Sequence, residues 1–303
     1  MTATGKAKGF AAGIVAAVCY GTNPLGTLRL YEEGFNSSSV LVYRYLLAVV
    51  MFAAVMALRG EKFAIRPGHA IRMAMLGAMF ALSSATLYVS FHYMAAGIAS
   101  TLLFVYPIMT AVLMAAFFHE KITRSTATAI LLAVSGVGLL YRGDGDSSLS
   151  TAGFALVMCS SLLYALYIIS VNRWSGGGMS SVKFTFWILV FCLLTLLAFS
   201  FVAGEPIQML RTPRQWMYAL QLALLPTVLS IFLINISINL VGSTSAAIMG
   251  ALEPVTAVVI GVTVFGESIS AQLCVGIAAI LTGVSLVVGR SGKGKEKETN
   301  PNQ

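Results

Sequence analysis

Long apolar runs recur along the chain at regular intervals. The uncharged runs are separated by short polar segments, and a helix of roughly 20 apolar residues is long enough to cross a hydrocarbon core. We predict ten such helices, numbered span 1 to span 10, at residues 9–28, 38–58, 72–93, 97–118, 125–141, 152–172, 183–203, 216–240, 244–265 and 271–289. The predicted fold class is therefore an all-α integral membrane protein.

Composition agrees with this pattern. The chain has 303 residues, of which 58% are hydrophobic and 10% charged, whereas about a quarter of the residues of a soluble domain are charged. The basic start MTATGKAKGF resembles a secretory signal. Because its apolar run continues to Leu28 and nine more follow, we interpret it as a retained first span.

The positive charges are distributed unequally between the two sides. With the N-terminus in the cytoplasm, 14 of the 19 Lys and Arg residues fall on the cytoplasmic side and four on the other, while Arg44 lies within span 2. This is the positive-inside pattern, so we expect both termini to be cytoplasmic. The net charge of +8 thus indicates topology, and we expect no nucleic acid partner.

The second half of the sequence repeats the first. Residues 99–142 align with 246–289 without a gap at an offset of 147, with ten identities in 44 positions. A weaker alignment at an offset of 144 relates Gly9, Phe10, Ala11 and Tyr20 to Gly153, Phe154, Ala155 and Tyr164. Spans 1 to 5 therefore repeat as spans 6 to 10.

An odd number of spans per repeat forces the two halves to enter the membrane from opposite sides. We predict a first five-helix repeat at 1–145, a second, inverted repeat at 146–290 and a disordered cytoplasmic tail at 291–303. In transporters, such halves hold the substrate near the midplane where they meet and allow alternating access.

Two segments carry a resemblance to a known family. The span 4 segment LLFVYPIMTAVLMAAFFHEKIT and the span 9 segment IMGALEPVTAVVIGVTVFGESIS are each followed by a Gly-bearing helix (SGVGLL and TGVSLV). This duplicated Pro-to-Glu signature resembles that of the drug/metabolite transporter superfamily, and within it the ten-helix EamA-type exporters. The chain is most similar to their bacterial aromatic amino acid exporters.

This resemblance implies a multi-pass protein of a bacterial-type cytoplasmic (inner) membrane. It also implies a cavity lined mainly by spans 1, 3, 4, 6, 8 and 9, with the span pairs 3–4 and 8–9 acting as gates. Span 4 departs from the doubled pattern, because Tyr106 stands where span 9 carries Glu253.

Glu253 lies about ten residues into span 9, where a carboxylate costs about 2.5 to 3.5 kcal/mol on insertion scales and normally faces a cavity or a partner. It could bind a substrate amine, carry a proton or form a structural hydrogen bond beside Pro254. Arg44, in span 2, could recognise a substrate carboxylate or anchor the helix. Glu120 and Glu267 stand at repeat-related helix ends, which favours a structural role.

Polar and aromatic residues are spaced so that they share helix faces, which favours a partner helix or an aqueous cavity over lipid. The predicted substrate-binding residues, with Glu253, are Tyr20 and Asn23 on span 1, Ser84, Tyr88 and His92 on span 3, Phe104 on span 4, Tyr164 on span 6, and Asn235 and Asn239 on span 8. His92 lies near the outer boundary and is expected at the rim.

Prolines inside spans free backbone carbonyls and bend the helix. We interpret Pro24, Pro107 and Pro254 as candidate hinges, the alternative being static kinks. Cys19, Cys159, Cys192 and Cys274 all fall in predicted spans, as packing residues do. We expect no metal and no cofactor.

The leading hypothesis is a carrier that exports small amphipathic solutes, with aromatic or apolar amino acids foremost, by alternating access. Its predicted partners are an amino acid-like substrate and the lipid bilayer, and no oligomer is required. The alternatives are an exporter of other metabolites or drugs, a membrane enzyme and a channel. No GxSxG, HExxH or paired midplane aspartates support an enzyme.

The charge distribution makes a testable prediction about topology. A reporter that is active only outside the cytoplasm should be silent when it is fused after Gln303, and active when it is inserted within 142–150. The opposite pair of results would contradict the predicted orientation.

Overall fold

The computed structural model describes residues 3–118, 124–142, 150–174, 178–241, 246 and 249–299. Helices account for all ten predicted spans. Spans 2, 3, 5, 6 and 7 are single helices, at Ser37–Leu58, Pro67–Ser90, Arg124–Arg142, Thr151–Trp174 and Ser181–Val202. Span 10 is the helix Ala271–Thr299.

The other four spans are interrupted. Span 1 is divided into Ala3–Gly21 and Asn23–Glu32, and span 4 into Ala96–Leu103 and Tyr106–Phe118. Span 8 contains the helices Pro213–Ala223 and Ser230–Val241 with the π-helical segment Leu224–Leu229 between them. Span 9 continues as Leu252–Phe265 after a turn at 250–251.

Six of the described spans, numbers 2, 3, 4, 6, 7 and 8, are long and apolar enough by themselves to cross a membrane. Spans 5, 9 and 10 contain shorter apolar helices. Large apolar side chains such as Leu58, Phe201 and Val202 are more than four-fifths exposed, and an apolar surface of this kind is suited to lipid. The chain is an all-α membrane protein of ten spans.

The packing of the spans has a two-fold pattern. Span 1 packs on span 8 and span 3 packs on span 6, while spans 2, 4 and 5 pack on spans 7, 9 and 10. Exchanging the two halves converts the first contact into the second and leaves the other three unchanged. The predicted internal repeat is therefore also a repeat of tertiary contacts.

Contacts between the connecting segments show that the repeat is inverted. On one face, the segment after span 1 meets the segment before span 8, where the Asn36 backbone N–H donates to Gln208 Oε1 at 2.6 Å. On the other face, the segment between spans 2 and 3 meets the start of span 7, where Lys183 Nζ donates to the Ala64 carbonyl at 2.7 Å. These two contacts are equivalent in the repeat, but they lie at opposite ends of the bundle.

Two repeat-related glycines lie where helices of the two halves pack closely. A Cβ atom on Gly9 of span 1 would lie 2.6 Å from Val241 Cγ1 of span 8. A Cβ atom on Gly153 of span 6 would lie 2.8 Å from Tyr93 Cβ, just after span 3. Both glycines therefore stand where a larger side chain would push two spans apart.

The breaks in spans 1 and 4 expose backbone carbonyls, and side chains of neighbouring spans bind them. The break in span 4 lies directly before Tyr106 and Pro107. Proline interrupts a helix because it has no N–H and its ring clashes with the carbonyl four residues earlier. Ser161 Oγ of span 6 lies 3.3 Å from the Leu102 carbonyl oxygen and 3.1 Å from that of Leu103, and it can donate to either. In span 1, Gln221 Nε2 donates to Thr22 Oγ1 at 2.9 Å and lies 3.4 Å from the Thr22 carbonyl oxygen. These two breaks are thus satisfied within the protein, as a bilayer requires.

Glu267 binds the start of span 4 from the other half of the protein. Its Oε1 accepts from the Ala96 N–H at 2.8 Å and its Oε2 from the Gly97 N–H at 3.3 Å, which satisfies donors that a helix start leaves unpaired. Gly97 and Gly261 leave room for this carboxylate, since a Cβ on either would contact it. The structural role expected for Glu267 is that of a helix cap, while its repeat partner Glu120 lies outside the described residues.

The predicted tail differs from the observed helix. Span 10 runs without a break to Thr299, so residues 291–299, predicted to be disordered, are helical in the structure. The segment KGKEKE is rich in Lys and Glu, which are good helix formers. The predicted boundary between the halves at 145/146 lies outside the described part of the chain.

The serine that binds the span 4 break can be tested by stability. Ser161→Ala should lower the thermal stability of the purified protein, because it leaves the Leu102 and Leu103 carbonyls without this donor, at a cost of about 1 to 3 kcal/mol. Ser170→Ala is the matched control on the same helix, since Ser170 Oγ donates only to Leu166 of its own span. Equal shifts in melting temperature for the two variants would contradict the assignment.

Candidate functional site

A cavity of about 280 Å³ lies where the two halves meet. Its walls come from spans 1, 3, 4, 6, 8 and 9, the six spans that the resemblance implies. The aromatic, amide and carboxylate side chains of the wall belong to Tyr20, Asn23, Phe91, Phe104, Tyr106, Tyr164 and Glu253. The site is thus built equally from both repeats.

Repeat-related positions face the cavity together. Tyr20 and Tyr164 occupy equivalent places in spans 1 and 6, at the offset of 144, and both line the wall. Tyr106 and Glu253 occupy equivalent places in spans 4 and 9, at the offset of 147, and they also line it. The pseudo-two-fold relation between the halves therefore extends into the cavity.

The aromatic side chains form one wall. The Tyr106 and Tyr164 rings meet edge to face with centroids 4.6 Å apart, and Phe104 meets Tyr106 in the same way at 5.8 Å. Edge-to-face geometry at these distances is favourable for aromatic pairs. This wall offers a rigid, mainly apolar surface that suits a flat or apolar ligand.

Glu253 supplies the carboxylate of the cavity. It lies near the start of the helix Leu252–Phe265, directly before Pro254. Ala246, Gly250 and Ala257 occupy the same face at helical spacing and leave space in front of the carboxylate. Among the described residues, no side chain or backbone N–H bonds to the Glu253 carboxylate, so it is free to bind a ligand or a proton.

Arg44 lies behind the wall rather than in it. The side chain is only 2% exposed, and its Nε donates to Thr227 Oγ1 at 2.9 Å. Its Nη1 donates to the Tyr88 hydroxyl at 2.8 Å, and that hydroxyl donates to Asn23 Oδ1 at 3.0 Å. No described carboxylate forms an ion pair with Arg44.

Several residues predicted for the site lie elsewhere. Tyr88 is fully buried in the network just described and does not line the cavity. Ser84 Oγ hydrogen-bonds the Tyr45 hydroxyl at 2.7 Å, so it faces span 2. His92 stacks on Tyr31 with ring centroids 4.3 Å apart and lies exposed just after the helix of span 3 ends.

In span 8 the residues that line the cavity differ from the two asparagines predicted for the site. Ile234 and Ile238 line the wall, and they stand 147 residues after Leu87 and Phe91, which line it from span 3. Ser230 and Ile231 complete the contribution of span 8, and neither Asn235 nor Asn239 is among the residues of the wall.

The three prolines predicted to be hinges differ in whether they line the cavity. Pro24 and Pro254 line the cavity, whereas Pro107 does not. All three prolines adjoin breaks, which lie at residue 22, at 104–105 and at 250–251. Tyr106 is a wall residue that the sequence reasoning did not choose, although its repeat partner Glu253 was the signal that could have found it.

Comparisons with known proteins agree with this architecture. The uncharacterized transporter sll1319 of Synechocystis sp. is 27% identical over 206 residues, which cover 66% of this chain but only 61% of that protein. The uncharacterized transporter YdfC of Bacillus subtilis is 24% identical over 246 residues, covering 79% of this chain and 78% of that protein. A crystal structure with 15% identity superposes with a TM-score of 0.66 over 95% of this chain and 98% of its own, which shows the fold.

The names of these relatives describe transporters and give no substrate. The family model for EamA-like transporters matches the chain twice, at residues 7–142 and at residues 151–289. The two matches coincide with the two halves that pack around the cavity. The chain therefore belongs to the EamA-like transporter family.

Proposed function

We propose that this transporter exports small amphipathic solutes, foremost aromatic and apolar amino acids, by alternating access across a bacterial-type cytoplasmic membrane. The observation that carries the proposal is the cavity between the inverted halves, with its aromatic wall and its unpartnered carboxylate. Its volume of about 280 Å³ is close to the lower end of the range for small-molecule pockets, about 300 to 1,000 Å³. A solute the size of an amino acid suits such a space.

The chemistry of the wall supports a substrate with one apolar and one amine end. The rings of Phe104, Tyr106 and Tyr164 would contact an apolar side chain, and the Glu253 carboxylate would accept a charge-assisted hydrogen bond from an amine. The described wall contains no Arg or Lys. Phosphorylated substrates, which proteins normally bind with several such groups, are therefore disfavoured.

The position of the helix breaks supports alternating access. The breaks at 104–105 and 250–251 are repeat-related and adjoin the wall residues Tyr106 and Glu253. Bending at equivalent points in two inverted halves would open the cavity to one side and then to the other. One chain supplies the whole wall, so the mechanism does not require an oligomer.

Export of other metabolites or drugs is the second candidate. It is favoured by the small number of directional groups in the wall, because aromatic surfaces bind many apolar solutes without fixed geometry. The two candidates differ in whether an amino acid headgroup is needed for transport.

Liposomes containing the purified protein would test the proposal. We expect saturable uptake of labelled phenylalanine, tryptophan or leucine, with faster uptake when the lumen holds the same unlabelled amino acid. The panel should be repeated with and without a pH gradient. Transport of apolar cations or neutral drugs with no uptake of any amino acid would favour the second candidate.

The aromatic wall predicts a selectivity change. Phe104→Ala should weaken phenylalanine transport more than threonine transport, because a ring pair contributes about 0.5 to 1.5 kcal/mol beyond area burial. The ratio of the two transport efficiencies should fall several-fold. Phe201→Ala, at a lipid-exposed position, is the control and should leave the ratio unchanged, while equal losses for both substrates in Phe104→Ala would indicate a packing role.

Glu253→Gln distinguishes the roles open to this carboxylate, because Gln keeps the volume and removes titration. Loss of the amine contact should reduce both gradient-driven transport and exchange at equal pH. If Glu253 instead carries the coupling proton, gradient-driven transport should collapse while exchange survives, since exchange requires no net proton movement.

A structural Glu253 predicts near-normal rates in both assays. The amount of folded protein, measured by size-exclusion chromatography, has to match the wild type before the rates are compared. Rates that match the wild type in both assays would contradict a substrate or proton role.

A further inference from the structure

Arg44 is a buried cation whose charge is not neutralised by a described acid. Its guanidinium lies over the faces of Tyr45 and Tyr88, at 5.2 and 5.8 Å from the ring centroids. It also interacts electrostatically with Tyr20, which lines the cavity. A cation kept in this position within a membrane is costly, so it normally marks a functional pathway.

The direction of the hydrogen bonds that start at Arg44 is fixed by chemistry. A guanidinium can only donate, so the Tyr88 hydroxyl must accept from Nη1. The single hydroxyl proton of Tyr88 is then available for Asn23, 3.0 Å away. The group that receives it must be an acceptor, so the amide of Asn23 turns its oxygen toward Tyr88.

The hydrogen bonds from Arg44 to Tyr88 and from Tyr88 to Asn23, called the relay below, determine which polar group of Asn23 faces the cavity. The side chain is only 6% exposed, yet the residue lines the wall. With its oxygen held by Tyr88, its NH₂ group is the end left without a described partner. Asn23 therefore presents N–H donors, polarised by the cation behind Tyr88, to the same cavity that Glu253 enters from span 9.

We propose that Asn23 binds the carboxylate of the substrate, with Arg44 and Tyr88 as positioning residues, so that the cavity selects zwitterions over amines. This inference rests on the proposed function, which supplies the amine contact at Glu253. The cavity would then have two binding groups: N–H donors on span 1 for the substrate carboxylate, and an acceptor on span 9 for the amine. A substrate that carries both charges would bind both groups and leave neither of them unpaired.

Competition experiments on the wild-type protein test this without any mutation. Labelled phenylalanine is taken up into liposomes in the presence of unlabelled phenylalanine, phenylalaninamide or phenethylamine. We expect phenylalanine to compete at least about 10-fold better than the two compounds without a carboxylate, since a hydrogen bond to a charged group is lost. Equal competition by all three would overturn the inference, whereas no uptake of phenylalanine would overturn the proposed function itself.

Three variants test whether the preference for zwitterions over amines depends on the relay. Asn23→Asp replaces the donors with a second carboxylate and should reverse the preference toward phenethylamine. Tyr88→Phe keeps the ring but breaks the relay, so the preference should fall toward equality. Arg44→Lys keeps the charge but loses the planar fork that donates to both Thr227 and Tyr88, so the preference should fall, though less than in Tyr88→Phe.

Tyr167→Phe is the matched control, because it removes a phenol oxygen from a ring outside both the relay and the cavity wall. It should leave the competition ratio unchanged. A purely structural role for the network would lower folded yield or total rate in the variants while the ratio between the competitors stayed at the wild-type value. That unchanged ratio in Tyr88→Phe and Asn23→Asp would refute the assignment.

Discussion

Hydrogen-bonding groups of the backbone have to be satisfied inside the protein wherever lipid replaces water, and the architecture of this transporter depends on that constraint. Four of its ten spans are interrupted, and every interruption leaves carbonyls or N–H groups that a continuous helix would pair. Side chains from the opposite half satisfy such groups in spans 1 and 4: Gln221 of span 8 at the Thr22 carbonyl, Ser161 of span 6 at the break in span 4, and Glu267 at the start of span 4.

These contacts join the two halves at the points where the helices can bend. Because each partner comes from the other repeat, the interrupted spans are held in place without being made continuous. The breaks in spans 1, 4 and 9 adjoin the cavity, and the π-helical segment of span 8 ends directly before the wall residue Ser230. The least regular helices of the described chain therefore surround the cavity.

The hydrophobic pattern was sufficient to predict the ten spans and the internal repeat, because both depend on features that extend over many residues. Helix starts were predicted less well: the first helix of span 1 begins at Ala3 rather than at residue 9, and the helix of span 3 begins at Pro67 rather than at residue 72. Side-chain direction was harder to predict. Asn235 and Asn239 share a face, as predicted, but only the packing of span 8 determines which face the cavity takes.

The sequence pattern also did not predict the hydrogen bonds between different spans. Tyr88 was predicted to contact substrate because it is polar and aromatic on a helix, yet its hydroxyl connects Arg44 of span 2 to Asn23 of span 1. No spacing within a single span contains that information. Conversely, Tyr106 could have been found from the repeat, since its partner Glu253 was already singled out.

The pair Tyr106 and Glu253 makes the described wall of the cavity asymmetric. In transporters built from inverted repeats, alternating access exchanges the conformations of the two halves, which requires equivalent packing. A small solute has no such symmetry, and two equivalent walls would not orient it. Tyr106 and Glu253 occupy matching positions in matching helices, but one carries a phenol and the other a carboxylate. The packing of the two halves is therefore symmetric, while the chemistry of the wall differs at equivalent points.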